Sequence, residues 1–64
     1  MRLLKAKEVA ERTSISIPQM RRMANDGKFP QPMKISENRT AWLETDIDDW
    51  VDACVKQHRN SLHQ

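Results

Sequence analysis

Side chains that can recognise an anionic polymer are concentrated in one short stretch, residues 16–27. Gln19, Arg21, Arg22 and Asn25 each carry several hydrogen-bond donors. Arginine pairs with two acceptors on the edge of guanine, and glutamine or asparagine pairs with adenine. These residue types fit the reading of base edges in duplex DNA, although exposed helices also carry arginine and glutamine for solubility alone.

Start and stop signals predict a helix over residues 17–25. Ser16 is a favourable N-cap, and Gln19 three residues later completes a capping box. Pro18 is tolerated in a first helical turn, and Gly27 stands where helices often end in a left-handed conformation. Helical spacing leaves an apolar face for the core. The opposite, outward face and its flanks consist of Pro18, Gln19, Arg21, Arg22 and Asn25.

A second group of polar side chains falls on a predicted β-hairpin. Its strands, residues 33–35 and 40–43, flank a polar tip at residues 36–39. A cation on so thin a projection can contact phosphate or enter a narrow minor groove, whereas an ordinary solvated turn is the alternative. The predicted DNA-binding residues of this hairpin are Lys34, Asn38 and Arg39. Weaker candidates for contacts with the DNA backbone are Lys5, Lys7 and Lys28.

The remaining reactive side chains indicate neither catalysis nor metal binding. An acidic cluster opens a third predicted helix, where carboxylates are favourable near the N-terminal dipole: Asp46, Asp48 and Asp49. His58 and His63 lie in or near a fraying tail without further ligands, and Cys54 has no second cysteine. We therefore expect a protein that is not an enzyme and that needs no metal and no other cofactor.

The elements that must position these residues form one small domain. Residues 5–12 are predicted as a first helix, joined to the second by a tight turn at residues 14–16. A third helix follows the hairpin from Thr45, and Trp42 and Trp50 are assigned to the core. This order predicts a small α+β fold, a winged helix-turn-helix with three helices and a two-stranded β-hairpin wing. Residues 1–58 are expected to form the domain and residues 59–64 a flexible tail.

The charge distribution favours a polyanionic partner. Residues 1–43 contain nine Lys and Arg against four Asp and Glu, whereas residues 44–64 contain two against five. A basic part followed by an acidic part gives a one-sided electrostatic field. No run of apolar residues exceeds three, which argues against a membrane span or a secretory segment and favours a cytoplasmic location.

The sequence resembles the AlpA family of small regulators from phages and mobile elements, which are related to excisionases and to the DNA-binding part of MerR proteins. The most specific similarities are the run Gly27-Lys28-Phe29-Pro30 and the spacing of Arg39 from Trp42, within a similarity covering about residues 2–56. The resemblance implies a winged helix-turn-helix that binds DNA near promoters or attachment sites in a bacterial or phage-encoded, nucleoid-associated setting. It supports Gln19, Arg21 and Arg22 on the recognition helix and Arg39 on the wing.

The partners expected from this reasoning are double-stranded DNA and, in an alternative role, a protein. MerR proteins continue into a long dimerisation helix, and this chain stops, so we predict a monomer in solution that binds repeated sites cooperatively. The resemblance implies either transcriptional activation or service as an excisionase, that is, a recombination directionality factor. A protein-binding adapter for integrase or RNA polymerase, acting through the acidic third helix, is the alternative from a different class.

Overall fold

The computed structural model describes residues 2–62, and it contains three helices and three strands in this part of the chain. In chain order the elements are β1 (Leu3–Leu4), α1 (Ala6–Thr13), α2 (Ile17–Asn25), β2 (Met33–Ser36), β3 (Arg39–Leu43) and α3 (Glu44–Leu62). The predicted small α+β fold is confirmed, and the arrangement is compatible with a winged helix-turn-helix. Met1, His63 and Gln64 lie outside the described residues, and so does the end of the predicted tail.

The turn between α1 and α2 is tight because both helices are capped at the junction. The Ser14 backbone N–H donates to the Ala10 carbonyl at 2.8 Å, and Ser14 itself has a φ of 62°. That left-handed residue ends α1 and reverses the chain within three residues. The Ser16 hydroxyl then accepts the Gln19 backbone N–H at 3.4 Å and starts α2, which confirms the predicted N-cap. The return bond from the Gln19 side chain, which the predicted capping box requires, is not formed within residues 2–62. Gly27, with a φ of 74°, follows the end of α2 where the sequence placed a stop.

The sheet has three antiparallel strands, so the prediction of a two-stranded wing was wrong in its strand count. The strand order is β1-β3-β2, with Leu4 opposite Trp42 across β1 and β3. The Glu44 backbone N–H also donates to the Arg2 carbonyl at 2.9 Å. A strand of two residues shows no alternation of apolar and polar side chains, so only this backbone pairing reveals it.

The hairpin itself matches the prediction with longer strands. Each strand extends one residue further, and Glu37 and Asn38 form the turn between them. The pairing passes from Lys34 opposite Thr40 to Ser36 opposite Arg39, which leaves one extra residue on β2. Such a β-bulge bends the strand and increases its twist near the tip.

A small apolar core holds these elements together. It comprises the buried residues Leu4, Val9, Met20, Ala24, Phe29, Trp42 and Ile47. The Trp42 indole N–H donates to the Pro30 carbonyl at 2.9 Å. Trp50 packs edge-on against Phe29 with ring centroids 4.8 Å apart, and its indole N–H donates to the Lys28 carbonyl at 3.2 Å. Both tryptophans therefore pack in or against the core, as expected, and each anchors the loop between α2 and β2.

The third helix is longer than predicted at both ends. It begins at Glu44, so Thr45 lies within the first turn instead of capping it, and it continues to Leu62 instead of ending near residue 58. The predicted tail is thus helical through Leu62. No glycine or proline interrupts this segment, and Asp52 and Lys56 form an ion pair one turn apart at 3.1 Å. Among residues 2–62, no helix combines the length and the apolar character needed to cross a membrane.

Candidate nucleic-acid interface

The outward face of α2 presents the polar side chains that the sequence predicted. The five candidate residues on this helix are all exposed: Pro18, Gln19, Arg21, Arg22 and Asn25. On the opposite side Met20 is fully buried, and Ala24 is 8% exposed. The helical periodicity therefore separated the packed side from the solvent side correctly.

Hydrogen bonds at its C-terminal end attach α2 to the loop that follows. The Gln31 side-chain amide donates to the Ala24 carbonyl at 2.6 Å. The Lys28 backbone N–H donates to the Met23 carbonyl at 2.8 Å, and the Gly27 N–H donates to Ala24 at 3.1 Å. Because the same loop is anchored by both tryptophans, α2 is held in a defined position relative to the sheet.

The predicted wing residues are exposed around the hairpin tip. Asn38 lies in the turn, Arg39 begins β3, and Lys34 lies opposite Thr40 on β2. Lys5 also reaches this region from the start of α1. A shallow groove of about 280 Å³ is lined by Lys5, Asn38, Arg39 and Thr40. The structure therefore adds Lys5, predicted only as a weak backbone contact, to the wing.

A second groove connects the wing with α2. Its volume is about 340 Å³, and its lining includes Arg21 and Asn25 from α2, Gln31 from the loop, and Thr40 from β3. Thr40 lines both grooves, so one continuous surface runs from α2 to the hairpin tip. Its polar residues alternate with the apolar groups of Ala24, Pro32 and Trp42, which also line the groove beside α2. Four candidates are exposed on the same elements but line neither groove: Pro18, Gln19 and Arg22 on α2 and Lys34 on β2. Lys7 and Lys28 also line neither groove, and they lie outside both α2 and the wing.

Thr40 and Gln31 are the residues of this surface that the sequence reasoning missed. No local pattern marked Thr40, because a period-two pattern places it on the face of buried Trp42 and so predicts a core position, whereas Thr40 is exposed. No sequence signal marked Gln31, because its position depends on the hydrogen bond from its side chain to the Ala24 carbonyl, which no periodicity predicts.

Ion pairs divide the cations of the molecule into two groups. Arg12 contacts Glu44 at 2.7 Å and Asp48 at 3.1 Å, and Arg2 contacts Glu8 and Glu44 at 3.3 and 3.7 Å. The pairs with Glu44 and Asp48 connect the N-terminal elements to α3, and the Arg2–Glu8 pair connects Arg2 to α1. Within residues 2–62, seven candidate cations have no carboxylate oxygen within 4.0 Å of their charged side-chain nitrogens: Lys5, Lys7, Arg21, Arg22, Lys28, Lys34 and Arg39.

This separation follows from where the acids lie. Five of the nine carboxylates are on α3, and three of these five, Glu44, Asp48 and Asp52, pair with Arg2, Arg12 and Lys56. The polar surface of α2 and the wing keeps its positive charges without neutralising partners. An anion can therefore bind there without first breaking an ion pair within the protein, and the unscreened charges raise its local concentration.

Histidine, cysteine and carboxylate side chains form no comparable site. Throughout the part of the chain that the structure describes, no group of three or more such residues is arranged to hold a metal ion. Cys54 is exposed on α3. The polar surface of α2 and the wing is thus the candidate functional site.

Comparison with known protein families matches residues 2–55 to the family described as prophage CP4-57 regulatory protein (AlpA). The chain belongs to this family. The match confirms the resemblance inferred from the sequence, and the AlpA range contains every candidate residue of α2 and the wing. The AlpA family is a family of prophage regulatory proteins. No curated protein and no solved structure matches the chain.

Proposed function

We propose that this protein is a sequence-specific DNA-binding transcriptional regulator of a prophage or mobile element. Helix α2, residues 17–25, lies in the major groove, and the wing, residues 34–42, lies on the adjacent backbone or minor groove. The observation that carries the proposal is the continuous surface from α2 to the hairpin tip, whose cations have no carboxylate partner within residues 2–62. Membership in a prophage regulatory family supports the same conclusion.

The exposed candidate residues of α2 and the wing have different roles in the proposed complex. Arg22 and Asn25 point outward from α2 and read base edges, with Gln19 and Arg21 on the flanks reaching either bases or phosphates. Lys34, Asn38 and Arg39 hold the backbone or enter the minor groove, where a narrow groove attracts cations. Pro18 lies in the first turn and contributes shape without a backbone donor.

A single small module of this kind holds one site weakly. One recognition helix contacts only a few base pairs, and modules of this size bury roughly 600–1,000 Å² of protein surface on DNA. We therefore propose a monomer in solution that gains affinity by binding repeated sites side by side in the bacterial cytoplasm. A stable dimer at micromolar concentration without DNA, measured by sedimentation velocity, would contradict this part of the proposal.

Salt dependence tests the DNA-binding proposal directly. Each phosphate that a cation neutralises contributes about −0.9 to the slope of log K against log salt concentration. A surface that engages four or five of its cations gives a slope of roughly −4 for duplex DNA. A slope near zero, or no measurable binding to any duplex at low salt, would reject the proposal.

Action as an excisionase, or recombination directionality factor, is the closest alternative and uses the same surface. The two roles differ in where the protein binds and which protein it touches, and not in the fold. Mapping of bound DNA in the host distinguishes them. Occupancy beside an attachment site together with loss of excision in a deletion strain favours recombination, whereas occupancy at a promoter favours transcription.

A protein-binding adapter for integrase or RNA polymerase is the candidate from a different class. The observation that favours it is the outer half of α3, where residues 52–60 are all exposed and Val55 is 41% exposed. An apolar groove of about 400 Å³ lies beside it, lined in part by Ile15, Val51 and Cys54. The substitution Val55→Glu is expected to abolish regulation in a reporter strain while leaving DNA affinity unchanged if this face binds a protein.

A further inference from the structure

In duplex DNA, a sugar–phosphate strand lies between a helix bound in the major groove and a wing bound beside it. Major and minor grooves alternate along the duplex, and a sugar–phosphate strand separates each groove from the next. With α2 in a major groove and the wing on the adjacent backbone or minor groove, that strand must pass between α2 and the wing. The protein surface that faces this DNA strand is therefore the region where the two grooves of the protein meet, one beside α2 and the other beside the hairpin tip.

This joining surface is centred on Thr40. Thr40 lines the groove that leads to Arg21 and Asn25, and it also lines the groove that leads to Lys5 and Arg39. Thr40 is exposed, and its hydroxyl makes no hydrogen bond to any residue in the described range 2–62. The hydroxyl is therefore available to an external acceptor.

The backbone around Thr40 is held on both sides. Thr40 lies on β3, the central strand of the sheet, and pairs with Lys34 on β2. Two residues further along the same face, Trp42 is buried and bonded to the Pro30 carbonyl. On the opposite side of the groove, the hydrogen bond from the Gln31 side chain to the Ala24 carbonyl holds the end of α2. The Thr40 hydroxyl is thus carried by a strand that is paired on both sides, next to a helix end that is also held in place.

We propose, on the basis of the DNA-binding function above, that Thr40 donates a hydrogen bond to a backbone phosphate of the strand that crosses β3 between α2 and the wing. Threonine hydroxyls commonly contact phosphate oxygens, and such contacts set register without reading sequence. Lys5 and Arg39 lie on the wing side of that strand, and Arg21 lies on the α2 side. Thr40 is then a binding residue that aligns the recognition helix with the wing.

Replacing Thr40→Val tests the contact, because valine keeps the branched shape and the strand preference while removing the hydroxyl. We expect affinity to fall about five- to tenfold, equally for a selected site and for random duplexes. The salt slope of the variant should equal that of the wild type, because a neutral donor releases no counterion. Arg39→Ala should instead make the slope shallower by about 0.9.

The matched control is Thr45→Val, which makes the same chemical change at an exposed position on α3 outside both grooves. Its affinity should equal that of the wild type. Duplexes with one methylphosphonate at a time locate the contact. At one phosphate position, the methylphosphonate should weaken DNA binding by the wild type and by Thr45→Val. The same methylphosphonate should leave DNA binding by Thr40→Val unchanged.

The outcomes separate this inference from the proposed function. Wild-type affinity in Thr40→Val, with Arg39→Ala showing its reduced slope, overturns the Thr40 contact and leaves DNA binding intact. A changed base preference in Thr40→Val also overturns the Thr40 contact. So does a result in which methylphosphonates affect the wild type and Thr40→Val equally at every phosphate. Failure of the wild type to bind any duplex overturns the inference and the proposed function together.

Discussion

Removal of the Arg22 side chain is the sharpest test of the recognition helix. Arg22 is exposed on α2, and it forms no ion pair among residues 2–62. Arg22→Ala therefore leaves no buried charge and breaks no packing, so stability should change by less than about 0.5 kcal/mol. Any loss of affinity then measures an interaction with DNA.

The expected loss depends on which DNA group Arg22 contacts. A bidentate pair with a guanine is worth about 1–3 kcal/mol of discrimination, which corresponds to roughly five- to 150-fold in affinity. That loss should appear on the selected site and be much smaller on random duplexes, because only the selected site presents the preferred base. A phosphate contact would instead lower affinity for both duplexes alike.

Fluorescence anisotropy with a selected duplex and a random duplex, at one fixed salt concentration, measures both quantities. The matched control is Arg59→Ala, which removes the same side chain from an exposed position on α3 where it forms no ion pair with another residue in the range 2–62. Equal losses for Arg22→Ala on the two duplexes would refute base reading by Arg22. An equally large loss for Arg59→Ala would refute the assignment of the α2 surface as the DNA-binding face.

Three further substitutions test the wing, the helix start and the core. Arg39→Ala should weaken binding to all duplexes by a similar factor, and unaltered binding by the folded variant would remove the wing from the interface. Ser16→Ala should lower the free energy of unfolding by about 1 kcal/mol in urea titrations through loss of the cap, and no change would show that the 3.4 Å bond contributes nothing. Leu4→Ala should cost about 2–5 kcal/mol and leave much of this small domain unfolded, as monitored by far-ultraviolet circular dichroism; a near-native melting curve would show that β1 is dispensable.

The recognition helix was predictable because several local signals agree on it. Ser16, Pro18 and Gly27 define its limits, and the apolar positions Met20 and Ala24 recur at helical spacing. Each of these signals acts over a few residues, so the sequence alone reveals them. The same reasoning placed the hairpin correctly, since its strands are joined by a short polar turn.

Features that depend on contacts between distant residues were missed. The pairing of β1 with β3 was missed, because two residues show no pattern and their partners lie about forty residues later in the chain. The continuation of α3 beyond residue 58 was missed because a solvated helix outside the core needs no apolar periodicity. The position of Thr40 in both grooves and that of Lys5 beside Arg39 became visible only when the folded chain brought these segments together.

Selection of bound duplexes from a random pool at near-physiological salt tests the central claim most directly. The account predicts enrichment of a short motif, present in direct repeats where copies bind side by side, and loss of that enrichment in Arg22→Ala but not in Arg59→Ala. A pool that remains random after selection, while the wild-type protein stays folded, would contradict sequence-specific DNA binding. The exposed face of α3 would then become the leading candidate for the functional surface.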